Sequence, residues 1–420
     1  MTPLLTLLCA AACATVAMGA GPVRAAELSP LEQLGKALFF DRTLSTPPGQ
    51  SCAACHGPRA GFTGPESAIN AAGAVYEGAV HNRFGDRKPP TVAYADSPVL
   101  HYDAGEDVWI GGSFWDGRAT GWTLGDPLAE QAMGPFLNHV EQNMPFDKQV
   151  IRRVAKSDYA PLFEAVWGPG SLNDKKGAAA TYERIGRSIA AYERSTKVTA
   201  FTSKFDHYWR TSLAAGNDPE DIGRAEGPKD ELDPMAVLTD QEFAGLLEFG
   251  EYCARCHIST VPGPSNTPPL FTDFSHENIG VPKNPQNPFY FVSRKWNPDG
   301  ENFADYGLGG FLKKAGFPAE VYEPQLGKHK VPTVRNVDQR PYPEFVKAYM
   351  HNGALKSLED VVHFYNTRDV AAENWPPPEV PYNLNDELFE GHPIGDFHLS
   401  AEAEAAIVAF LKTLTDGYVP

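Results

Sequence analysis

The stretches Cys52-Ala53-Ala54-Cys55-His56 and Cys253-Ala254-Arg255-Cys256-His257 dominate the interpretation of this sequence of 420 residues. In each Cys-x-x-Cys-His motif, two thiols are placed to form thioethers with the vinyl groups of one haem, and the adjacent histidine is placed to ligate the iron. The chain has six cysteines, and the two outside the motifs lie within its first 13 residues. The motifs therefore predict two covalently bound haem c groups, with His56 and His257 as iron ligands.

Zinc binding and redox-active thiols are the alternatives for these cysteines. A zinc site would need further Cys or His ligands at matching spacing. The two motifs account for every cysteine beyond the N-terminal segment, which leaves none for a structural disulfide. We therefore expect haem c at both motifs.

The N-terminal segment, residues 1–25, is apolar and ends on Val23-Arg24-Ala25, which fits the small-residue rule for signal peptidase. We interpret it as a cleaved export signal, and an uncleaved anchor is the alternative. Export agrees with haem c, which bacteria attach outside the cytoplasm, and it predicts a periplasmic protein. No later stretch is long and apolar enough to cross a bilayer, so we expect no integral membrane span.

The net charge of −17 makes nucleic acid and anionic membranes unfavourable partners. An acidic surface would suit a basic electron donor, or it serves solubility alone. About 395 residues follow the export signal, which is long for a single core. We therefore expect two domains, an N-terminal haem c domain at 26–199 and a C-terminal haem c domain at 200–420.

Helix signals precede both motifs, which indicates an internal duplication. Ser29-Pro30-Leu31-Glu32 and Thr239-Asp240-Gln241-Glu242 are both capping boxes. Apolar residues follow each box at helical spacing. Further helices are predicted at 146–154 and 178–194, and the last helix, after Ser400, is similar to the closing helix of class I cytochromes c.

Alternation typical of strands is scarce along the chain. Abundant Pro and Gly predict a linker at 216–234 and a long irregular excursion at 261–302. We predict a mainly α fold in which two class I cytochrome c-like haem domains pack together, with long irregular loops.

Four further blocks carry a family resemblance. In order along the chain they are Phe114-Trp115-Asp116-Gly117-Arg118, Glu130-Gln131-Ala132-Met133-Gly134-Pro135, Val331-Pro332-Thr333-Val334-Arg335-Asn336 and Met350-His351-Asn352-Gly353. With the two haem motifs, the chain resembles the bacterial dihaem cytochrome c peroxidase and MauG family over most of its length. The resemblance implies one haem that reacts with hydrogen peroxide, a second haem that relays electrons, and a tryptophan between them.

The resemblance assigns roles to residues near the first haem. Trp115 matches the bridging tryptophan, although a buried aromatic residue without that role is the alternative. Glu141, ten residues beyond Gln131, matches an acid–base catalyst that moves a proton between the peroxide oxygens, and its alternative is a surface acid. Gln131 and Pro135 would shape the same pocket.

The axial ligand of the second haem separates the branches of the family, since peroxidases use methionine and MauG uses tyrosine. The only methionine after Cys256 is Met350, at a place where the family has a residue that is not the ligand. The family ligand lies seven residues after a leucine, and counting from Leu358 reaches Tyr365. We therefore predict Tyr365 as the ligand, with a core residue of an amphipathic helix as the alternative.

Three features remain open. His81 precedes Arg87-Lys88-Pro89-Pro90-Thr91 and is either a distal ligand of the first haem or a loop histidine. Lys88 stands where the family has an asparagine ligand of an interdomain calcium ion, so a calcium ion held by backbone oxygens stays plausible but its position is in doubt. The stretch from Trp115 to Gln131 is longer than in the family, with the extra residues between Thr120 and Pro127, so the pocket entrance is expected to differ.

Three functions follow from the resemblance. The first is a peroxide-dependent oxidase of a partner protein, in which a high-valent state of both haems, as in MauG, does the oxidation; Tyr365 favours it. The second is a peroxidase that draws electrons from a small cytochrome or copper protein. The third is an electron carrier, which would need strong ligands on both irons, and the scarcity of methionines argues against it.

Overall fold

A computed structural model describes residues 27–420 apart from 174, 176, 261–266 and 386. The predicted export signal, residues 1–25, lies outside the described residues. The prediction of a mainly helical fold is confirmed. The α-helices of the described residues are α1 Pro30–Phe40, α2 Ser67–Ala71, α3 Pro127–Leu137, α4 Asp147–Val154, α5 Ala160–Trp167, α6 Ala178–Arg194, α7 Lys204–Ala214, α8 Pro219–Arg224, α9 Lys229–Leu232, α10 Asp240–Tyr252, α11 Gly307–Lys314, α12 Ala319–Tyr322, α13 Leu358–Thr367 and α14 Ala401–Lys412.

Strands are short and form three antiparallel pairs within the described ranges. They are β1 His101–Asp103, β2 Val108–Ile110, β3 His276–Glu277, β4 His329–Lys330, β5 Leu388–Phe389 and β6 His392–Pro393. In the first pair His101 lies opposite Ile110. None of the helices in the part of the chain that the structure describes is long and apolar enough to cross a membrane.

Helices α1 and α10 begin as the sequence predicts. Both capping boxes are formed, with the Ser29 and Thr239 hydroxyls accepting from the third residue of their helices. Six residues beyond each cap lies a glycine, Gly35 in α1 and Gly245 in α10. A Cβ at Gly35 would collide with the Ser188 carbonyl of α6, and one at Gly245 would collide with Ala406 O of α14. The two halves thus repeat one close helix crossing.

Each crossing is surrounded by its own buried core. The first core draws its fully buried members from residues 34–198 and includes Phe39, Phe136 and Ile185. The second draws them from residues 205–414 and includes Trp209 and Phe410. Burial of such side chains contributes roughly 1.5–3 kcal/mol each.

The segment at 216–234 is not a featureless linker. It contains two short helices, α8, which Asp218 caps, and α9. Ile222 of α8 and Leu232 of α9 are buried in the second core and hold these helices in place. The described part of the predicted excursion, residues 267–302, is irregular apart from β3 and two 3₁₀ turns, Pro288–Phe291 and Gly300–Asn302.

Candidate haem and peroxide sites

Of the four motif cysteines, Cys55 lines one cavity, Cys253 and Cys256 line a second, and Cys52 packs against the first core. Burial raises the pKa of each, that of Cys55 to about 12, so these are neutral thiols rather than thiolates. Among the described residues, no candidate metal cluster contains a cysteine. Raised pKa values are the opposite of what a reactive thiol pair requires.

The motif histidines are oriented as ligands need to be. His56 Nδ1 lies 2.9 Å from Pro90 O, and His257 Nδ1 lies 3.1 Å from Phe271 O. Donation from Nδ1 leaves the Nε2 lone pair of each ring free for a metal. Burial lowers the pKa of His56 to about 4 and also lowers the pKa of His257, so both rings are neutral. Neutral imidazole is the form that binds iron.

The C-terminal cavity, which is lined by Cys253, Cys256 and His257, has a volume of about 190 Å³. Its wall is largely apolar, as a haem site requires. Tyr365, on α13, and Met350, in the turn before that helix, both line it. Burial, together with the two nearby cysteines, raises the pKa of the Tyr365 phenol.

The N-terminal cavity, which is lined by Cys55 and His56, has a volume of about 120 Å³. Gln131, Pro135 and Glu141 line it together. Gln131 and Pro135 are one turn apart on α3 and so share a face. After α3 the chain turns, and a hydrogen bond from Glu141 N to Asn138 O, 3.1 Å long, closes this turn. The turn brings Glu141 to the same cavity.

Glu141 has the electrostatic setting of a proton-transfer group. Burial raises the pKa of Glu141. The positive charge of Arg118, which lines the same cavity, opposes this rise without cancelling it. A carboxyl group whose pKa is raised towards neutrality exchanges protons readily at working pH.

Trp115 lines both cavities. It is 8% exposed, its indole Nε1 donates to Lys88 O at 3.0 Å, and its carbonyl accepts from Lys330 N at 2.8 Å. The residue is therefore fixed on both sides within the wall that separates the two cavities.

The structure places His81 away from the N-terminal cavity. Its side chain is 83% exposed and pairs with Glu77 at 2.7 Å, and His81 does not line either cavity. Lys88, in contrast, is buried, with Nζ donating to Thr63 Oγ1 and Pro89 O at 3.2 Å and lying 5.7 Å from the Trp115 ring centre. An ammonium group thus supplies positive charge beside Trp115.

The stretch at 120–127, which is expected from the sequence to be longer than in the family, is held against α3. Glu130 accepts from the amides of Gly121, Thr123 and Leu124 at 2.7–2.9 Å. The loop ends in Asp126, which caps α3, while Trp122 is 49% exposed. This stretch therefore leads into the helix that carries Gln131 and Pro135.

Sequence reasoning missed a buried ionic chain between the cavities. Arg87, which lines the N-terminal cavity, contacts Asp116 at 2.8 Å and Asp305 at 2.6 Å. Asp305 lies 3.3 Å from His329, whose ring stacks on that of His351 with centres 3.6 Å apart. Asp116 and His351 both lie in sequence blocks that carry the family resemblance, and this is the signal that could have found them. Their spacing along the chain does not predict that they lie near one ionic chain.

The chain is similar to known proteins over nearly all of its length. Residues 29–213 match the family model described as di-haem cytochrome c peroxidase. The methylamine utilization protein MauG of Paracoccus denitrificans is 33% identical over 98% of this chain and 96% of the relative. The chain belongs to the dihaem cytochrome c peroxidase and MauG family.

Two further relatives in this family are peroxidases. Cytochrome c551 peroxidase of Nitrosomonas europaea is 26% identical over 94% of this chain and 83% of its own length. The crystal structure of the diheme peroxidase BthA from Burkholderia thailandensis has a TM-score of 0.68 and 27% identity, covering 93% of this chain and 90% of that one. The protein is thus a haem-dependent oxidoreductase with the dihaem peroxidase fold and two haem c groups.

Proposed function

We propose that this protein is an exported, periplasmic oxidoreductase that reduces hydrogen peroxide at the N-terminal cavity and oxidises residues of a partner protein through the C-terminal haem, in the manner of MauG. Its two haem c domains would be residues 26–199 and 200–420. The observation that carries the proposal is that Trp115 lines both cavities, with Tyr365 in the wall of the second. An indole between two haem sites gives electrons a route that does not depend on solvent.

His56 and His257 would hold the irons, and Cys52, Cys55, Cys253 and Cys256 would carry the thioethers. Haem iron supplies the redox chemistry of peroxide reduction when it is bound. Glu141 would take a proton from one oxygen of hydrogen peroxide and return it to the other, the proton transfer that loss of water from the peroxide requires. Gln131 and Pro135 shape the space in which the peroxide is held.

Tyr365 supports the protein-oxidase branch. A phenolate ligand is an anionic oxygen donor, which favours the more oxidised states of iron and lowers the reduction potential relative to methionine. Burial raises the pKa of the free phenol, and the charge of a bound cation is what offsets this and deprotonates it. Tyrosine ligation would therefore suit a haem that has to store oxidising equivalents for a protein substrate.

A peroxidase that draws electrons from a small cytochrome or copper protein is the second candidate. It is favoured by one observation, that Met350 lines the same C-terminal cavity as Tyr365. A thioether ligand would raise the reduction potential of the second haem and make it a good electron acceptor.

The proposal does not include a calcium ion between the cavities. The Lys88 ammonium already donates to Pro89 O in this region. A cation held by backbone oxygens would have to share the space with that charge, which costs energy at short range.

The deciding experiment adds one equivalent of hydrogen peroxide to the purified dihaem protein without a donor, followed by absorption and EPR spectroscopy, and then adds a reduced small cytochrome. A protein oxidase should show one high-spin and one low-spin ferric haem and a long-lived oxidised form that the cytochrome discharges slowly. Two low-spin haems that react with peroxide only after half-reduction, followed by rapid turnover with the cytochrome, would replace the proposal by the second candidate.

A further inference from the structure

The irregular excursion at 267–302 reaches back to the N-terminal half of the chain through Trp296. The turn that carries Trp296 is held from inside by Asn297, which is 1% exposed. Its side-chain amide donates to Phe289 O and Gly300 O at 3.0 Å each. The turn is therefore closed on itself, and it presents the Trp296 ring from a fixed backbone.

The Trp296 ring contacts two residues of the N-terminal half. The guanidinium carbon of Arg83 lies 4.6 Å from the ring centre, which is the distance of a cation–π contact. The His139 ring lies 5.7 Å away, centre to centre, at an interplanar angle of 40°. A guanidinium is weakly hydrated and planar, so it stacks on an aromatic face more readily than an ammonium does. Trp296 thus holds Arg83 against a part of the chain far from it in sequence.

Arg83 in turn connects its own loop, residues 78–83, to the turn at 138–143 that follows α3. Its Nη1 donates to His139 O at 3.2 Å and to Asn143 Oδ1 at 3.0 Å. One guanidinium nitrogen therefore binds both ends of the turn that carries Glu141.

The backbones of the loop and the turn also touch. A Cβ at Gly78 would lie 2.3 Å from Val140 O, so only glycine allows this approach. Beside it, Ala79 N donates to Glu141 O at 2.7 Å. Gly78, Val140 and Glu141 all line the N-terminal cavity. The loop and turn that Arg83 joins therefore form one side of the cavity.

This support matters because Glu141 lies on a turn and not on a helix. Side chains on loops are positioned less precisely than those on helices or strands. A general acid–base group has to approach its partner atom to about 2.6–3.2 Å. What holds the turn therefore decides how well the Glu141 carboxyl can transfer a proton.

We propose that Trp296 and Arg83 form a clamp that positions Glu141 in the N-terminal cavity. Trp296 holds Arg83, and Arg83 holds the turn that carries the carboxyl group. Both are positioning residues that act through Glu141, and neither lines the cavity. The inference rests on the role of Glu141 in the proposed function, and it gives the excursion after the second haem motif a task at the peroxide site.

The test uses the dihaem protein with Trp296→Ala, with Trp296→Phe, which keeps a ring for the guanidinium, and with Lys295→Ala as the matched control. Lys295 Nζ also lies 4.6 Å from the Trp296 ring centre. Lys295 stands in the same turn as Trp296, however, and so does not join it to the loop at 78–83. Arg83→Met is the second route to the same result, should Trp296→Ala fail to bind both haems.

Two measurements follow a check of haem content. Hydrogen–deuterium exchange, read by mass spectrometry, reports local opening of the peptides that contain 78–83 and 138–143. Stopped-flow absorption measures the rate of the peroxide reaction, and it includes Glu141→Gln alone and Glu141→Gln combined with Trp296→Ala.

Trp296→Ala should speed exchange in both peptides and slow the peroxide reaction by about 10–100-fold, because displacing a reacting group by about 1 Å can cost that much. Trp296→Phe should recover most of the rate, Arg83→Met should reproduce the loss, and Lys295→Ala should match the wild type. In the Glu141→Gln background, Trp296→Ala should cause no further loss, since the two changes act on one group.

Unchanged exchange, an unchanged rate, an equal effect of Lys295→Ala, or a loss that multiplies with that of Glu141→Gln would each overturn the clamp and leave the proposed function in place. A Glu141→Gln variant that reacts with peroxide as fast as the wild type would overturn the role of Glu141 itself, and the clamp with it.

Discussion

Trp115 and Lys88 are joined twice: the indole Nε1 donates to Lys88 O at 3.0 Å, and the Lys88 ammonium lies 5.7 Å from the indole ring centre. The hydrogen bond fixes the ring between the two cavities. The nearby positive charge makes removal of an electron from the indole less favourable, because a radical cation would be repelled. Trp115 is thus held between the cavities beside a positive charge that disfavours its oxidised form.

Replacing Trp115 by Phe should slow electron transfer between the haems while leaving both attached. The change removes the indole and leaves Lys88 O without its donor, a loss of about 1–3 kcal/mol of stability. Stopped-flow absorption after peroxide addition should show oxidation at the N-terminal haem with delayed oxidation at the other. Equal rates in wild type and variant would show that electrons use another route.

Tyr365→Phe and Met350→Leu distinguish the two candidate functions, because both side chains line the C-terminal cavity. If Tyr365 is the ligand, its removal should change the low-spin EPR signal and abolish the long-lived oxidised form, whereas Met350→Leu should change neither. The opposite pattern would identify a methionine-ligated peroxidase. Haem content and circular dichroism of both variants control for misfolding.

Glu141→Gln should reduce the rate of the peroxide reaction by about 10²–10⁴-fold, the usual contribution of a positioned acid–base group. Burial raises the pKa of Glu141 above its ordinary value. As the pH falls through that raised pKa the carboxylate is protonated, so the wild-type rate should fall with decreasing pH. The variant should lack this acid limb, and a limb of equal position in both proteins would remove Glu141 from the mechanism.

Removing divalent cations should leave the haem spectra and the peroxide reaction unchanged. Lys88 places a positive charge in the wall beside Trp115, and its Nζ donates to Thr63 and to Pro89 O, so no calcium ion is needed there for charge balance. The measurement is peroxide turnover before and after dialysis against a chelator. Activity lost on dialysis and restored by calcium would show that an ion binds despite Lys88.

The sequence predicts what depends on local spacing. The haem motifs, both capping boxes and the convergence of Gln131 and Glu141 on one cavity could be predicted, because each follows from short-range pattern or from an aligned block. The meeting of Arg87 with Asp305 could not, since 218 residues separate them and only the folded chain brings them together. The exposure of His81 could not be predicted either. Its place before a block that matches the family does not determine where its side chain lies, and in the structure that side chain is exposed.

Gly245→Ala should destabilise the C-terminal half. At the crossing of α10 and α14 a Cβ would meet backbone of Ala406 and Ile407, which cannot move aside as a side chain can. Overpacking of this kind typically costs about 1–3 kcal/mol and occasionally more. Gly250, in the same helix, has only ordinary van der Waals contact available, with Arg224 O at 3.8 Å.

Gly250→Ala is therefore the matched control, and it should stabilise the protein by up to about 1 kcal/mol, because alanine favours a helix over glycine. Thermal unfolding of the haem-loaded proteins, followed by far-UV circular dichroism, measures both effects. Opposite signs for the two variants would confirm that backbone approach at the crossing requires Gly245. A similar rise in melting temperature for both would mean that α10 and α14 separate readily and that the crossing does not hold the C-terminal cavity in shape.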